Sequence, residues 1–348
     1  MGIHLTVLGA GVTGLACAFE ALRRGARVRV LDPGGVAAGA SGGVVGALMP
    51  HAPDDALGRW TPLKAFQLDA LLAARRFWPE VEAAGGLSTG YARVGRLQPV
   101  MDAAALGRAR ERGRAAARLW RGEALWEVAP APEGWGPASP TGLAVRDTLS
   151  AHLHPRRACE ALAAAVRAMG GEVLREGEAR GAPVLHATGA AGLAALSAGR
   201  GRVVGVPVKG QAALLAFDAA GEPQIHAGGL HMVPHLDGTV GVGSTTEAAW
   251  DDPAATDAAL DAVVARAREA VPALADAPVV ARWAGLRPRA RTRGPILGPW
   301  PRRPGHLVAN GGFKIGLGLA PEVARVMVDL VLEGRDGIPE GMRVEDAL

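Results

Sequence analysis

A mixed α/β fold is predicted for this chain, with a nucleotide-binding domain on a parallel sheet and a second domain with a mainly antiparallel sheet. Three observations predict it. Residues 5–32 read as strand, glycine turn, helix, strand and acid. Two later segments, 184–192 and 307–334, each run from a short apolar stretch into small residues and then a helical pattern. Between them lie stretches where apolar and polar residues alternate, as they do on half-buried strands. At 348 residues the chain exceeds what one core usually serves, so two domains are expected.

The first element carries the strongest chemistry. Leu5–Leu8 meets Gly9, Gly11 and Gly14 in the spacing G-x-G-x-x-G, with Val12 and Thr13 between the last two glycines as expected cofactor contacts, and an Ala/Leu-rich helical segment follows over Leu15–Arg24. A second strand, Val28–Leu31, ends in Asp32, 18 residues after Gly14, and Pro33 turns the chain away. Gly9 permits the sharp turn, Gly11 lets the backbone approach a pyrophosphate, and Gly14 lets helix and strand pack closely. The helix N-terminus offers free N–H groups and a positive dipole end to the phosphates, and Asp32 can accept from a ribose hydroxyl. This pattern suits NAD and FAD alike.

Composition narrows the class. Half the residues are hydrophobic, the net charge is +4, and lysine occurs only at 64, 209 and 314. No charge-free apolar run is long enough for a transmembrane helix, and the apolar N-terminus belongs to the nucleotide fingerprint, so a cytoplasmic location is expected. Cys17 and Cys159 sit in apolar helical patterns and read as buried small hydrophobes. No histidine pair has zinc spacing, so no metal is expected. Arg282, Arg289, Arg291, Arg293, Arg302 and Arg303 read as a solvated loop face in preference to a field attracting an anionic substrate or an RNA backbone, Arg287 being treated separately. One tyrosine and five phenylalanines are too few for a single-strand stacking platform, and nucleic acid is not the expected partner.

After Pro33 the chain enters GASGGVVGALMPH, Gly39–His51. Small residues here let the backbone lie against a flat or phosphorylated ligand. GASG followed by GALMP resembles the FAD-dependent oxidoreductases of the D-amino-acid oxidase, glycine oxidase and sarcosine oxidase family. The resemblance implies a Rossmann-like, glutathione-reductase-like FAD domain and non-covalently bound FAD. It also places Ala40, Ser41, Gly42, Leu48 and Met49 against the cofactor.

Further elements follow in order. Residues 63–84 read as an amphipathic helix, Thr89–Val100 as a half-buried strand pair, 103–120 as a basic helix, and 130–140 as a Pro/Gly-rich crossing. His154-Pro155 stops a strand and opens a helix that ends at Gly170-Gly171, with a strand from Val173. Residues 175–183 are shorter than the family's usual β-excursion, which leaves the adenine contacts unassigned. Thr188 and Gly189, at the end of VLHATG, match the family's second nucleotide-side motif. Gly205–Phe217 reads as antiparallel strand. Within it, Lys209 reads as a strand-edge charge or as the cation usual at that place in the family. Gly228–Glu247 reads as a hairpin turning at Asp237-Gly238, and 254–270 as a helix.

The last two motifs carry the site. GLRP places Arg287 toward the flavin or an anionic substrate, and Arg291 and Arg293 follow where the family usually has an acid. LVANGGFKIG brings Gly311, Gly312, Phe313, Lys314, Ile315 and Gly316 to a turn before a helix whose N-terminus would stabilise the reduced flavin. GGFK resembles the sarcosine oxidase form, in which the lysine binds the substrate carboxylate.

Residues 1–85, 141–204 and 300–348 are expected to form the FAD domain, and 86–140 and 205–299 the substrate domain. The expected reaction is oxidation of the C–N bond of a small amino acid or N-substituted glycine. Lys314 and Arg287 hold the carboxylate, hydride passes to flavin N5, the imine hydrolyses, and O2 or another acceptor takes the electrons. Two alternatives share the flavin: a tRNA wobble-uridine modification oxidase, suggested by GRLQP and the basic balance, and a non-catalytic flavin subunit docking through the basic helix. A plain NAD dehydrogenase leaves GASG and GGFK unexplained. The single tyrosine, Tyr91, excludes a pocket gated by two tyrosines. No oligomeric state is assigned.

Overall fold

The computed structural model describes residues 4–54, 60–179, 181, 183–198 and 201–348. The chain runs β1 (His4–Leu8), α1 (Val12–Arg23), β2 (Arg27–Leu31), a 3-10 turn at Ala40–Gly42, β3 (Ala47–Leu48) and α2 (Pro62–Gly85). Next come β4 (Arg96–Pro99), α3 (Ala103–Leu119), β5 (Trp126–Pro130), β6 (Leu143–Asp147), β7 (Ala151–His152), α4 (Pro155–Ala168) and β8 (Glu172–Leu174). Then β9 (Val184–His186), α5 (Gly189–Ser197), β10 (Gly205–Ala216), β11 (Gln224–Ala227), β12 (Leu230–Pro234), β13 (Thr239–Gly243) and α6 (Ala258–Ala270) follow. The chain closes with β14 (Val279–Ala290), β15 (Ile296–Pro299), β16 (His306–Asn310), α7 (Gly316–Glu333) and α8 (Val344–Ala347).

Two sheets organise these elements. The six-stranded sheet has the order β15-β16-β9-β1-β2-β8, parallel except for β15. The eight-stranded sheet has the order β14-β10-β13-β12-β11-β4-β6-β5, antiparallel except where β11 meets β4. Parallel strands need long crossovers, and the helices between them supply these while covering the sheet. Leu15, Ala16, Cys17 and Ala18 of α1 are therefore fully buried, and burial pushes the Cys17 and Cys159 thiols up to about 12. Beside α1, Phe19 meets Phe77 edge-on at 5.6 Å, and Phe77 meets Trp78 at 5.1 Å. Each such pair contributes about 1 kcal/mol beyond its buried area. Thr61 caps α2, Pro62 fills its first turn, and Gly86 at φ 67° ends it.

Four expectations change. β6 pairs antiparallel with β4 and β5, so residues 143–147 join the eight-stranded sheet rather than the segment opening at 141. β15 pairs with β16, so residues 296–299 join the six-stranded sheet rather than the segment closing at 299. The strand pair expected over Thr89–Val100 is one strand, β4, preceded by an isolated bridge from Ala92 to His152. Gly90 and Gly95 have φ of 71° and 89°, which interrupts the extended run. The helix expected from 254 starts at Ala258, where the Asp257 carboxylate accepts the Ala259 N–H at 2.9 Å.

Candidate active site

The glycine turn is built by three glycines with different reasons. A Cβ on Gly9, whose φ is 108°, would lie 2.3 Å from the Ala187 carbonyl oxygen, and one on Gly14 would lie 2.1 Å from the Gly9 oxygen. Strand and helix packing therefore demand both. A Cβ on Gly11 would meet only the Ser41 side chain, its Oγ at 3.1 Å. That position is left open for something other than this chain's own backbone. Asp32 ties the turn together: Oδ2 accepts the Ala10 N–H at 2.8 Å and Oδ1 the Gly34 N–H at 2.9 Å. Both oxygens keep acceptor capacity for a hydroxyl. Pro33 begins the bend that brings Ala40, Ser41 and Gly42 back onto this turn. Ser41 Oγ accepts the Val12 N–H at 3.0 Å, and its own proton stays available to donate. A Cβ on Gly42 would lie 2.3 Å from the Ala37 oxygen, so that approach also requires glycine.

The other two strand ends converge on the same place. Thr188 stands before α5 without a side-chain cap bond, and Gly189 has φ 57°. Asn310, not singled out in the sequence, joins them: Nδ2 donates to the Gly189 oxygen and Oδ1 accepts the Gly311 N–H, both at 2.8 Å. Thr13, Asn310, Gly312 and Gly316 line one small cavity between the starts of α1 and α7. No side chain caps α7 at Ile315. Two helix N-termini thus direct positive potential at one crevice, beyond the carboxyl ends of parallel strands. Leu48 and Met49 lie apart from this turn. The Leu48 carbonyl is within reach of Gln224 Nε2 at 3.4 Å, and Met49 Sδ contacts Arg96, which puts both against the eight-stranded sheet.

Strand alternation decides which side chains face that crevice. Leu97, Ala213, Leu215, Ile225, Met232, Val240 and Val242 pack into one cluster with Leu260 and Val263 of α6. Their sequence neighbours Arg96, Gln98, His226, His231 and Gly243 therefore lie on the opposite face, as does Gly210 by alternation along β10. Register adds Trp283, Gly285, Arg287 and Arg289 of β14 to that face. Glycines make it low. A Cβ on Gly241 would strike the Val44 oxygen at 2.1 Å, and one on Gly243 would lie 2.8 Å from Val45. The 43–45 segment can lie on the sheet because those side chains are absent.

Arg287 lies across Gly210, where a Cβ would sit 1.7 Å from its Nη1. Its guanidinium donates to the Thr245 oxygen at 3.2 Å and covers the Trp283 ring at 5.9 Å. Burial pulls its pKa down to about 10, against a weaker upward effect of Glu247. The Phe313 N–H donates to the Pro288 oxygen at 3.1 Å, which sets Lys314 beside this strand. Lys314 Nζ bonds Thr246 Oγ1 at 2.8 Å. Partial desolvation, then the charge of Arg287, holds its ammonium below the usual range.

Lys209 is neither at a strand edge nor in the site. β10 lies between β14 and β13, and alternation sends Lys209 to the α6 face. There it is 3% exposed and lies 3.7 Å from Glu247 and 3.8 Å from Asp257. Much of the arginine cluster also has partners: Arg282 pairs with Asp261, Arg291 donates to the Asp346 oxygen, and Arg303 covers Trp300. Sequence reading missed His226 and His231. They face each other across β11 and β12 with ring centroids 4.7 Å apart. Burial holds His226 down to about 4, helped by Arg96, and holds His231 well below its ordinary range. Both are neutral near pH 7. Their sequence signal was symmetric placement about the Gly228-Gly229 turn, legible only once the strand register is known.

Among the described residues, no group of three or more His, Cys, Asp or Glu side chains is placed to hold a metal. No helix there is long and apolar enough to cross a membrane. A wider groove of about 530 Å³ lies between α3 and β5 and contains none of the site residues.

A glycine-turn crevice, an acid-closed βαβ unit and a second sheet presenting cations define a dinucleotide-dependent oxidoreductase. Comparison with known proteins makes this specific. The sequence pattern of the FAD dependent oxidoreductase (DAO) family matches residues 4–330, and the chain belongs to that family. Glycine oxidase of Pseudomonas putida is 30% identical over 362 residues, covering 95% of each chain. Two solved structures share the fold. The iminodiacetate oxidase of a Chelativorans species has a TM-score of 0.82 at 22% identity, covering 97% of this chain and 98% of its own. The glycine oxidase of Geobacillus kaustophilus has a TM-score of 0.79 at 22% identity, covering 95% of each. The protein is an FAD-dependent enzyme.

Proposed function

We propose that the protein oxidises the C–N bond of a small amino acid or N-substituted glycine. The observation that carries this reading is Arg287, a half-buried cation with no carboxylate bonded to it among the described residues. A desolvated, unmatched guanidinium is costly unless an anion joins it, and a planar fork suits a carboxylate. Lys314 adds a second positive charge beside it. The 30% identity to a glycine oxidase along nearly the whole chain supports the same substrate class.

The glycine turn, Asp32, Ser41 and the two helix N-termini would hold the FAD diphosphate and ribose, as the open Cβ position of Gly11 allows. Bound FAD would supply the acceptor for hydride from the carbon beside nitrogen. The protein's own contribution is placement. Arg287 fixes the carboxylate by charge-assisted hydrogen bonds, with the positive charge of Lys314 beside it, which restricts the orientation of the α-C–H. Such orientation is worth on the order of 7 kcal/mol at best. His226 and His231, neutral at pH 7, present polar ring atoms on the same face without adding a charge that would repel a substrate ammonium.

Anaerobic addition of glycine, sarcosine, D-proline and D-alanine to the purified yellow protein tests the reading. Bleaching of the flavin bands by at least one amine is expected. Bands that none of them bleaches would overturn it. Gly11→Val tests the cofactor cradle. The Cβ there meets only a movable Ser41 side chain, so folded but colourless protein is expected; a yellow variant would count against the cradle.

A further inference from the structure

The cations of the site outnumber what one carboxylate can neutralise. Arg287 is half-buried beneath the crevice, whereas Lys314 is exposed at its edge. Arg289 lies two residues along β14 on the same face. Its guanidinium stands 5.9 Å from the Phe313 ring centroid, and Lys314 Nζ stands 5.7 Å from the same centroid. None of the three forms an ion pair with a carboxylate among the described residues. Lys314 and Arg287 bond only neutral oxygens, those of Thr246 and Thr245. Glu247, the acid that acts on Arg287, is itself occupied: it pairs with Lys209 and accepts from Gln211 and Thr245.

Resting on the reading above, we propose that the natural substrate carries two acidic groups, as an N-carboxymethyl amino acid does. Arg287 takes the α-carboxylate in the deeper position, and Lys314, with the field of Arg289 behind Phe313, takes the second carboxylate at the edge. The arrangement is selective because a monoacid leaves one cation unmatched, whereas a diacid satisfies both. Desolvation, and after it the charge of Arg287, lowers the Lys314 pKa, and a second anion offsets the repulsion.

The reaction balances. FAD, when bound, would supply the two-electron acceptor: the carbon between nitrogen and the α-carboxylate would lose hydride, the nitrogen lone pair would form C=N, and a proton would leave nitrogen. Water then adds to the C=N carbon and the C–N bond breaks, giving a 2-oxo acid and a primary amino acid. O2 or another external acceptor would take up the two electrons.

Iminodiacetate and sarcosine differ by one carboxylate and are the test pair. Anaerobic flavin reduction in the holoenzyme should be at least tenfold more efficient with iminodiacetate, and Lys314→Met should bring that ratio to near one. Malonate and acetate, which cannot be oxidised, give a second readout. Malonate should perturb the flavin spectrum at a concentration at least tenfold lower than acetate does, and Lys314→Met should remove the difference. Equal efficiency with both amines, or a Lys314→Met ratio unchanged from the parent, would overturn the two-anion assignment while leaving amine oxidation standing. If neither amine reduces the flavin, amine oxidation fails, and the malonate comparison alone decides whether the site holds two anions.

Discussion

Arg96 and Arg287 lie on the same face of the same sheet, and each guanidinium stands just under 6 Å from a tryptophan ring, Trp126 and Trp283 respectively. Their electrostatic surroundings are opposite. Arg96, 2% exposed, pairs at 2.8 Å with Asp147, which is fully buried and also accepts from the Ser150 N–H and hydroxyl. Arg287 bonds a backbone oxygen and, among the described residues, no carboxylate. A buried charge completed by the chain belongs to the structure; a buried charge left incomplete belongs to a ligand. Lys209 follows the first pattern, on the other face; Lys314, though exposed, shares with Arg287 the lack of a bonded carboxylate among the described residues.

The contrast can be broken by substitution. Arg96→Met leaves Asp147 buried without its counter-charge, and stability to urea is expected to fall by about 3–5 kcal/mol. A loss below about 1 kcal/mol would show that the pair is not structural. Arg287→Met leaves no orphaned acid, so unfolding should change little. The amine concentration needed for flavin reduction should instead rise roughly a hundredfold, about 3 kcal/mol of lost charged contact. If Arg287→Met unfolds the protein while Arg96→Met leaves it intact, the assignment of the two arginines is reversed.

A separate effect comes from two buried histidines, His152 and His226. Burial holds His152 and His226 to about 4, aided by His235 and Arg96 respectively. An unfolded histidine protonates near 6.5, so between these values the unfolded chain binds more protons. Stability should be complete above about pH 6.5 and should fall as pH drops towards 4. The slope is about 1.4 kcal/mol per pH unit for each extra proton. Urea unfolding at pH 7 and pH 5 measures it, and equal stability at the two would refute the account. In Arg96→Met the slope should be slightly shallower, because His226 loses the charge that helps to keep it neutral.

Much of this was legible in the chain itself. Gly9, Gly11, Gly14 and Asp32 announce a βαβ nucleotide unit because turn, helix start and strand end are local, and local geometry is written in consecutive residues. The same holds for the helix that Pro155 opens and Gly170 closes. The order of motifs from Ser41 to Lys314 was enough to indicate the family. Tertiary structure alone decided the rest. Lys209 and Arg287 look alike as sequence, each a cation in an apolar strand, yet a side-chain period of two sends them to opposite faces. Which face is which depends on α6, about fifty residues after Lys209. Asn310, His226 and His231 join the site only through strand register between distant segments. Whether a buried arginine is already neutralised depends on an acid that can lie fifty residues away, as Asp147 does from Arg96. Short-range rules name the elements and the cofactor cradle, whereas the assignment of each charge to fold or substrate is a long-range property that only the packed chain settles.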